Sequence, residues 1–275
     1  MQQLPHHARR PQDGGGPAPR ARAAVAPAAL IPTAPQASDM ALDRGLRRYM
    51  LAIYNKVALG LLVSAALAWT TSSVPAARDL LFKTAVVDGT PKLVGMSFAG
   101  ALVAIAPMVV FLVFTLSGRK STPLRAAALY WSIVALIGAS LGVLVLSFTG
   151  SSIAISLASA AAAFGALSLV GYSTRNDLSA LRSFLMVGLI GLLVAMGANL
   201  FIGSSGMAFV TSALGVLIFA GLIAYDTQRL KLAYYDLGED AGELSIATSE
   251  GALSLYINFI NLFQFLLMLM NGERR

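Results

Sequence analysis

From Met50 onward the chain alternates between long apolar runs and short polar breaks. The runs occupy residues 52–74, 94–116, 126–148, 153–170, 181–202, 207–225 and 252–270. Crossing a hydrocarbon core of ~30 Å takes about 20 residues of α-helix, so the pattern predicts seven membrane spans. The breaks contain Gly, Ser, Pro or charge, as in Ser117-Gly-Arg-Lys-Ser-Thr-Pro123, Thr149-Gly-Ser-Ser152, Ser173-Thr-Arg-Asn-Asp177 and Gly203-Ser-Ser-Gly206. The fourth run is rich in Ala and Ser, and its low hydropathy is expected of a helix buried inside a bundle.

Composition agrees with this pattern. Apolar residues make up 57% of the chain and charged residues 12%, about half the charge of a soluble domain. Mean hydropathy is +0.73. The net charge of +7 is no nucleic-acid signal, because the basic residues lie in the first segment and the short loops, where membrane flanks collect them. With the N-terminus in the cytoplasm, fifteen of the twenty Lys and Arg fall on the inner side, and Arg78, Lys83, Lys92, Arg274 and Arg275 fall outside. Were the last run re-entrant, the inner side would hold seventeen; at nineteen residues it is long enough to span.

Residues 1–39 read differently. Their Gly/Pro- and Ala/Pro-rich stretches lack helical periodicity and are expected to form a disordered cytoplasmic tail before a transmembrane domain at 40–275. The stretch 23–31 is too interrupted by proline to be a signal-peptide core. Met40 is an alternative start of translation, and mass spectrometry of the native protein distinguishes it from Met1. Small residues at packing distance, as in Gly138-Ala-Ser-Leu-Gly142 and at Gly188, Gly191 and Gly197, favour a compact monomeric bundle over a particular dimer.

Several enzyme chemistries lack their parts. The chain has no cysteine, and its histidines are His6 and His7. Gly203-Ser-Ser-Gly206 has the G-x-S-G of intramembrane serine proteases, but no histidine base follows position 7. Tyr225-Asp226 is half of an aspartyl dyad without the second carboxylate. No His/Cys/carboxylate cluster has metal-ligand spacing. The acidic loop Asp236-Leu-Gly-Glu-Asp-Ala-Gly-Glu243 does not fit a calcium-binding loop and reads as a solvated linker. The sequence is therefore read as that of a non-enzyme without a cofactor.

Polar groups inside the last two spans remain. Counted from Met207, Asp226 stands at the cytoplasmic end of its helix. There an anion opposes the helix dipole at a cost of about 0.3–1 kcal/mol, which Arg229 at i+3 offsets. An interfacial role and a lining role both stay open. On the last span Ser254, Asn258 and Asn261 fall within a wedge of about 60°, with Gln264 beside it. Such a stripe faces protein or water rather than lipid, as packing contact or as path lining.

Four motifs in order resemble the Bax inhibitor-1 (TMBIM/LFG, YccA-like) family of membrane proteins, in its bacterial branch. Gly45-Leu-Arg-Arg-Tyr-Met-Leu-Ala-Ile-Tyr-Asn55 is similar to the family's lead into its first helix. Phe164-Gly-Ala-Leu-Ser-Leu-Val-Gly-Tyr-Ser-Thr174 and Asp177-Leu-Ser179 are similar to its fourth helix and following loop. Phe219-Ala-Gly-Leu-Ile-Ala-Tyr-Asp-Thr-Gln228 and Ala252-Leu-Ser-Leu-Tyr-Ile-Asn-Phe-Ile-Asn-Leu-Phe263 are similar to its sixth and seventh helices.

The resemblance implies an all-α bundle of seven transmembrane helices with the last helix central, in the bacterial inner membrane. It also implies a passive, pH-sensitive calcium leak, in which aspartates on the sixth and seventh helices share a proton and gate the pore. Asp226 matches the first aspartate, and the second position is Asn258 here. The second span carries no carboxylate where some members have a glutamate. Asp226, Asn258, Asn261 and Ser254 are thus the candidate ion pathway and gate, with Arg229 and Tyr225 in support. Facing an amide, Asp226 is spared like-charge repulsion and is expected to stay charged near neutrality, so a single-site gate responds at lower pH. One formal charge fewer also weakens attraction for a divalent cation. The other function implied by the resemblance is regulation through partners, such as a membrane-anchored quality-control protease.

Overall fold

A computed structural model describes residues 43–87, 89–118, 120–238 and 240–272. Residues 1–42 lie outside the described residues, as do Arg119, Arg274 and Arg275.

Helix α1 (Arg44–Ser73) starts where Asp43 accepts hydrogen bonds from the backbone N–H groups of Gly45 and Leu46, the usual N-cap arrangement. The short α2 (Pro75–Leu81) leads into a hairpin of β1 (Phe82–Val87) and β2 (Thr90–Met96). The hairpin is antiparallel, with a register irregularity between Lys83 and Thr84. Its turn places Gly89 at φ 73°, a conformation open to glycine.

Helix α3 (Phe98–Leu116) is capped by Ser97. The third span consists of α4 (Pro123–Ser140) and α5 (Gly142–Ser147), offset at Leu141. Helices α6 (Gly150–Ser173) and α7 (Ser179–Ile202) follow. Gly203, in the left-handed region, ends α7, and Ser204 caps α8 (Ser205–Leu237). The last helix is α9 (Ala241–Gly272).

Among the described residues, seven spans are long and apolar enough to cross a membrane, the α4–α5 pair counting as one, and the protein is an all-α multi-pass membrane protein. Helix α9 packs on α8, α6, α1 and α4, and 56% of its apolar window is buried, against 6% for α3 and 11% for α7. It contributes Leu255, Tyr256, Phe259, Ile260, Phe263 and Leu267 to one core cluster and Leu262 and Phe265 to a second. Helix α7 packs on α8 and leaves Phe184, Val187, Ile190 and Val194 exposed, the outward apolar face that a lipid-facing helix requires.

Three features depart from the sequence reading. Residues 94–96, assigned to the second span, belong to β2. Helix α6 is not buried in the bundle; only the stripe Ser152, Ser156, Ala160, Ser168 and Gly171 is covered. Its small side chains permit close approach on one side and leave the other to lipid. Finally, α8 continues to Leu237, so Asp226 does not end its helix, and the dipole cost expected there does not arise.

Helix α1 and the third span approach closely at Gly138. A Cβ added at Gly138 would lie 2.7 Å from the Cα of Ser64, a clash with backbone that a side-chain shift cannot relieve.

Candidate functional site

Asp226 sits on the buried face of α8 with Leu222, Ile223 and Leu230, and is only 6% exposed. It stands about 16 Å, at 1.5 Å per residue, before the helix ends at Leu237. Both of its oxygens are occupied. Oδ1 pairs with the guanidinium of Arg229 at 3.2 Å, one turn on. Oδ2 accepts from the Ser254 hydroxyl at 2.5 Å and from Asn258 Nδ2 at 2.7 Å.

Ser254 and Asn258 are four residues apart, so one face of α9 presents both donors to one oxygen. A buried carboxylate is costly in an apolar setting unless paired and hydrogen-bonded. Here one cation and two neutral donors meet that need, and charge-assisted bonds of this kind are the stronger class.

Beside this group lies a cavity of about 770 Å³. Arg229, Ser254 and Asn258 line it, so the groups that hold Asp226 also meet open space. Tyr49 of α1, Phe111 and Phe114 of α3, Arg125 of α4, Leu237 of α8 and Glu250 of α9 complete its walls. These come from the N-terminal parts of α1 and α4, the C-terminal parts of α3 and α8, and the second to fifth turns of α9. The cavity therefore opens at the end of the bundle that carries Arg44, Arg47, Arg48, Lys120 and Arg182.

The two residues after Thr227 and Leu230 tie the site to a neighbouring loop. Gln228 accepts from the backbone N–H of Leu178 at 2.9 Å and donates to the Asn176 carbonyl at 2.8 Å. Lys231, itself buried, donates to the Tyr172 carbonyl at 2.7 Å and so satisfies a carbonyl in the last turn of α6. In the same loop, Asp177 accepts from the hydroxyl and backbone N–H of Ser179, which holds its carboxyl below the usual range. The stretch 172–179 is thus anchored on α8 within two turns of Asp226.

The other predicted residues go elsewhere. Asn261 donates to the Ile257 carbonyl of its own helix at 2.8 Å. The Tyr225 ring lies 5.9 Å from the Arg182 guanidinium, towards α7. Among the described residues, no three His, Cys, Asp or Glu side chains could together hold a metal ion.

A second polar seam, absent from the sequence reading, runs between α1, α4 and α9. Lys56 donates to the Ser249 hydroxyl at 2.7 Å, the Tyr130 hydroxyl donates to the Lys56 carbonyl at 2.6 Å, and Tyr256 and Ser64 share a hydrogen bond of 2.7 Å. Single Ser, Tyr and Lys residues in apolar runs form no periodic stripe, and only the fold shows that they meet.

A sequence profile described as "Inhibitor of apoptosis-promoting Bax1" matches residues 46–275. A protein of Caulobacter vibrioides is 55% identical over 237 residues, 86% of this chain and 93% of that one. A protein of Rickettsia prowazekii is 41% identical over 234 residues, 84% of this chain and 92% of the relative. The inner membrane protein YbhL of Escherichia coli is 34% identical over 235 residues, covering 84% and 94% of the two chains.

Proposed function

The chain belongs to the Bax inhibitor-1 family, and from that premise we propose a passive, pH-sensitive leak of calcium and other cations across the bacterial inner membrane. The observation that carries this reading is one buried carboxylate, Asp226, held by groups that line an open cavity. Ionisable groups inside a membrane bundle are costly and mark pathways and proton relays.

On this reading Asp226 is the gate. Ionised, it binds α8 to α9 through Ser254 and Asn258 and keeps Arg229 beside it. Protonation removes the ion pair and leaves two donors facing a neutral acid, so the α8–α9 contact loosens at the cavity floor. Calcium is the cargo, with no resident cofactor. A cytoplasmic N-terminus is part of this proposal, supported by the excess of basic residues at that end of the spans, and an inner-membrane location is supported by the printed name of the Escherichia coli relative. The test is calcium efflux from proteoliposomes: Asp226→Asn is expected to flatten the pH dependence of the native chain. An unchanged profile contradicts the reading.

A second reading is favoured by the charge balance. Arg229 offsets Asp226, and Asn258 adds no anion, so the site offers a divalent cation little net attraction. Under this alternative the protein regulates a membrane partner such as a quality-control protease. Its mark is a flux-silent chain that co-purifies with that protease.

A further inference from the structure

The cavity has a second chemistry that the Asp226 site does not use. Its outer part is polar, with Ser121, Arg125 and Glu250, while Phe111, Phe114, Leu129 and Ile257 make apolar walls. Its volume of about 770 Å³ falls within the roughly 300–1,000 Å³ of sites that enclose small molecules.

Arg125 is the unmatched group. Its guanidinium bonds to the Ser117 hydroxyl at 2.6 Å and the Lys120 carbonyl at 3.5 Å, and lies 5.6 Å from the Phe114 ring. Among the described residues, the ion pairs within 4.0 Å are Arg78–Asp79 and Arg229–Asp226, so Arg125 has no carboxylate partner there. Glu250, the acid in the wall, accepts from Ser121 at 3.3 Å. Tyr49, 5% exposed and part of the lining, has a buried hydroxyl without a hydrogen-bond partner among the described residues.

One wall of the cavity belongs to the most exposed span, α3. Helix α3 packs on α4, α2 and β2, whereas its last turns face α8 and α9 across open space. Phe111 and Thr115 on those turns line the cleft and are exposed, and both lie within six residues of the end of the span at Leu116, the part of a span that lies near the headgroups. An apolar slot whose rim carries Arg125 without a carboxylate partner, with Glu250 engaged by Ser121, matches a molecule with an acyl chain and an anionic head. Guanidinium suits phosphate through paired N–H donors, and basic pockets between spans bind anionic headgroups.

We infer that the cleft between α3 and α8 holds an anionic phospholipid, its phosphate on Arg125 and one acyl chain along Phe111, Phe114 and Ile257. This does not depend on ion conduction. The test is photo-crosslinking of the full chain in nanodiscs, using phosphatidylglycerol with a diazirine on its acyl chain and phosphatidylcholine labelled alike.

Adducts are expected to concentrate at 111–115 and 253–257 and to be about fivefold more abundant with the anionic probe, the ratio that one basic residue supplies near an anionic surface. Arg125→Gln should remove that preference. Thr115→Trp, an exposed position on the cleft wall, should block the adducts while labelling of α7 stays constant, and it decides the matter if the first variant misfolds. Equal labelling by both probes, spread over all lipid-facing helices, overturns the inference. So does cleft labelling that Thr115→Trp leaves unchanged.

Discussion

At the scale of single residues, the α8–α9 contact depends on one carboxylate and its two donors on α9, with Arg229 beside it on α8. Removing one hydrogen bond to a charged group costs about 1.5–3 kcal/mol. Asn258→Ala is therefore expected to lower stability in detergent by that amount, as read from thermal unfolding. Arg229→Gln should cost less, because the Arg229 side chain is 46% exposed and solvent screens the pair. Equal losses for the two variants would contradict this ranking. Helical spacing in the sequence brought Arg229 to Asp226 and put Ser254 and Asn258 on one face, and the structure has both arrangements. Asn261 escaped the same logic. A short amide in a helix can satisfy itself on the i−4 carbonyl, and wedge position alone does not reveal that choice.

Among the elements, the close seam between α1 and the third span makes the sharpest prediction. Gly138→Leu drives a side chain into the Ser64 backbone, and overpacking of this kind costs about 1–3 kcal/mol. Gly191, on α7, has nothing within 4 Å of an added Cβ, so Gly191→Leu should stay within about 1 kcal/mol of native, the scale of helix propensity. Thermal unfolding of both variants checks the pair; a larger loss at Gly191 would mean that α7 packs more closely than described. The sequence pattern marked both positions as small residues at packing spacing but did not show which met a partner.

Helix ends were equally uneven to read. The apolar run stops at Tyr225, yet Gln228 to Ala233 are helix-compatible and α8 ends only before Gly238 at φ 64°. The hairpin had its own signal, Asp88-Gly89 between strand-forming stretches. The apolar residues 94–96 masked it by extending the second run.

At the scale of the whole molecule, seven apolar runs correspond to the seven spans of the described residues because length and hydropathy suffice to define spans. Which helices line the cavity needed the fold, whereas exposure to lipid left a trace in the sequence: the α3 window has a mean hydropathy of 2.5 and is 6% buried, and that of α9 has 1.7 and is 56% buried. Orientation can be tested directly, because the native chain has no cysteine. A thiol at Lys120→Cys, between α3 and α4, should react only with reagent on the cytoplasmic side, and one at Thr90→Cys in the hairpin only from outside. The reverse pattern would invert the topology.

The central claim is that one carboxylate, held by an amide rather than a second acid, sets the pH response of a cation leak. Calcium efflux from proteoliposomes across pH, for the native chain and Asn258→Asp, tests it most directly. A second carboxylate beside Asp226 brings like-charge repulsion, which favours protonation. The account predicts that the Asn258→Asp profile lies at higher pH than the native one. Superimposable profiles would contradict it.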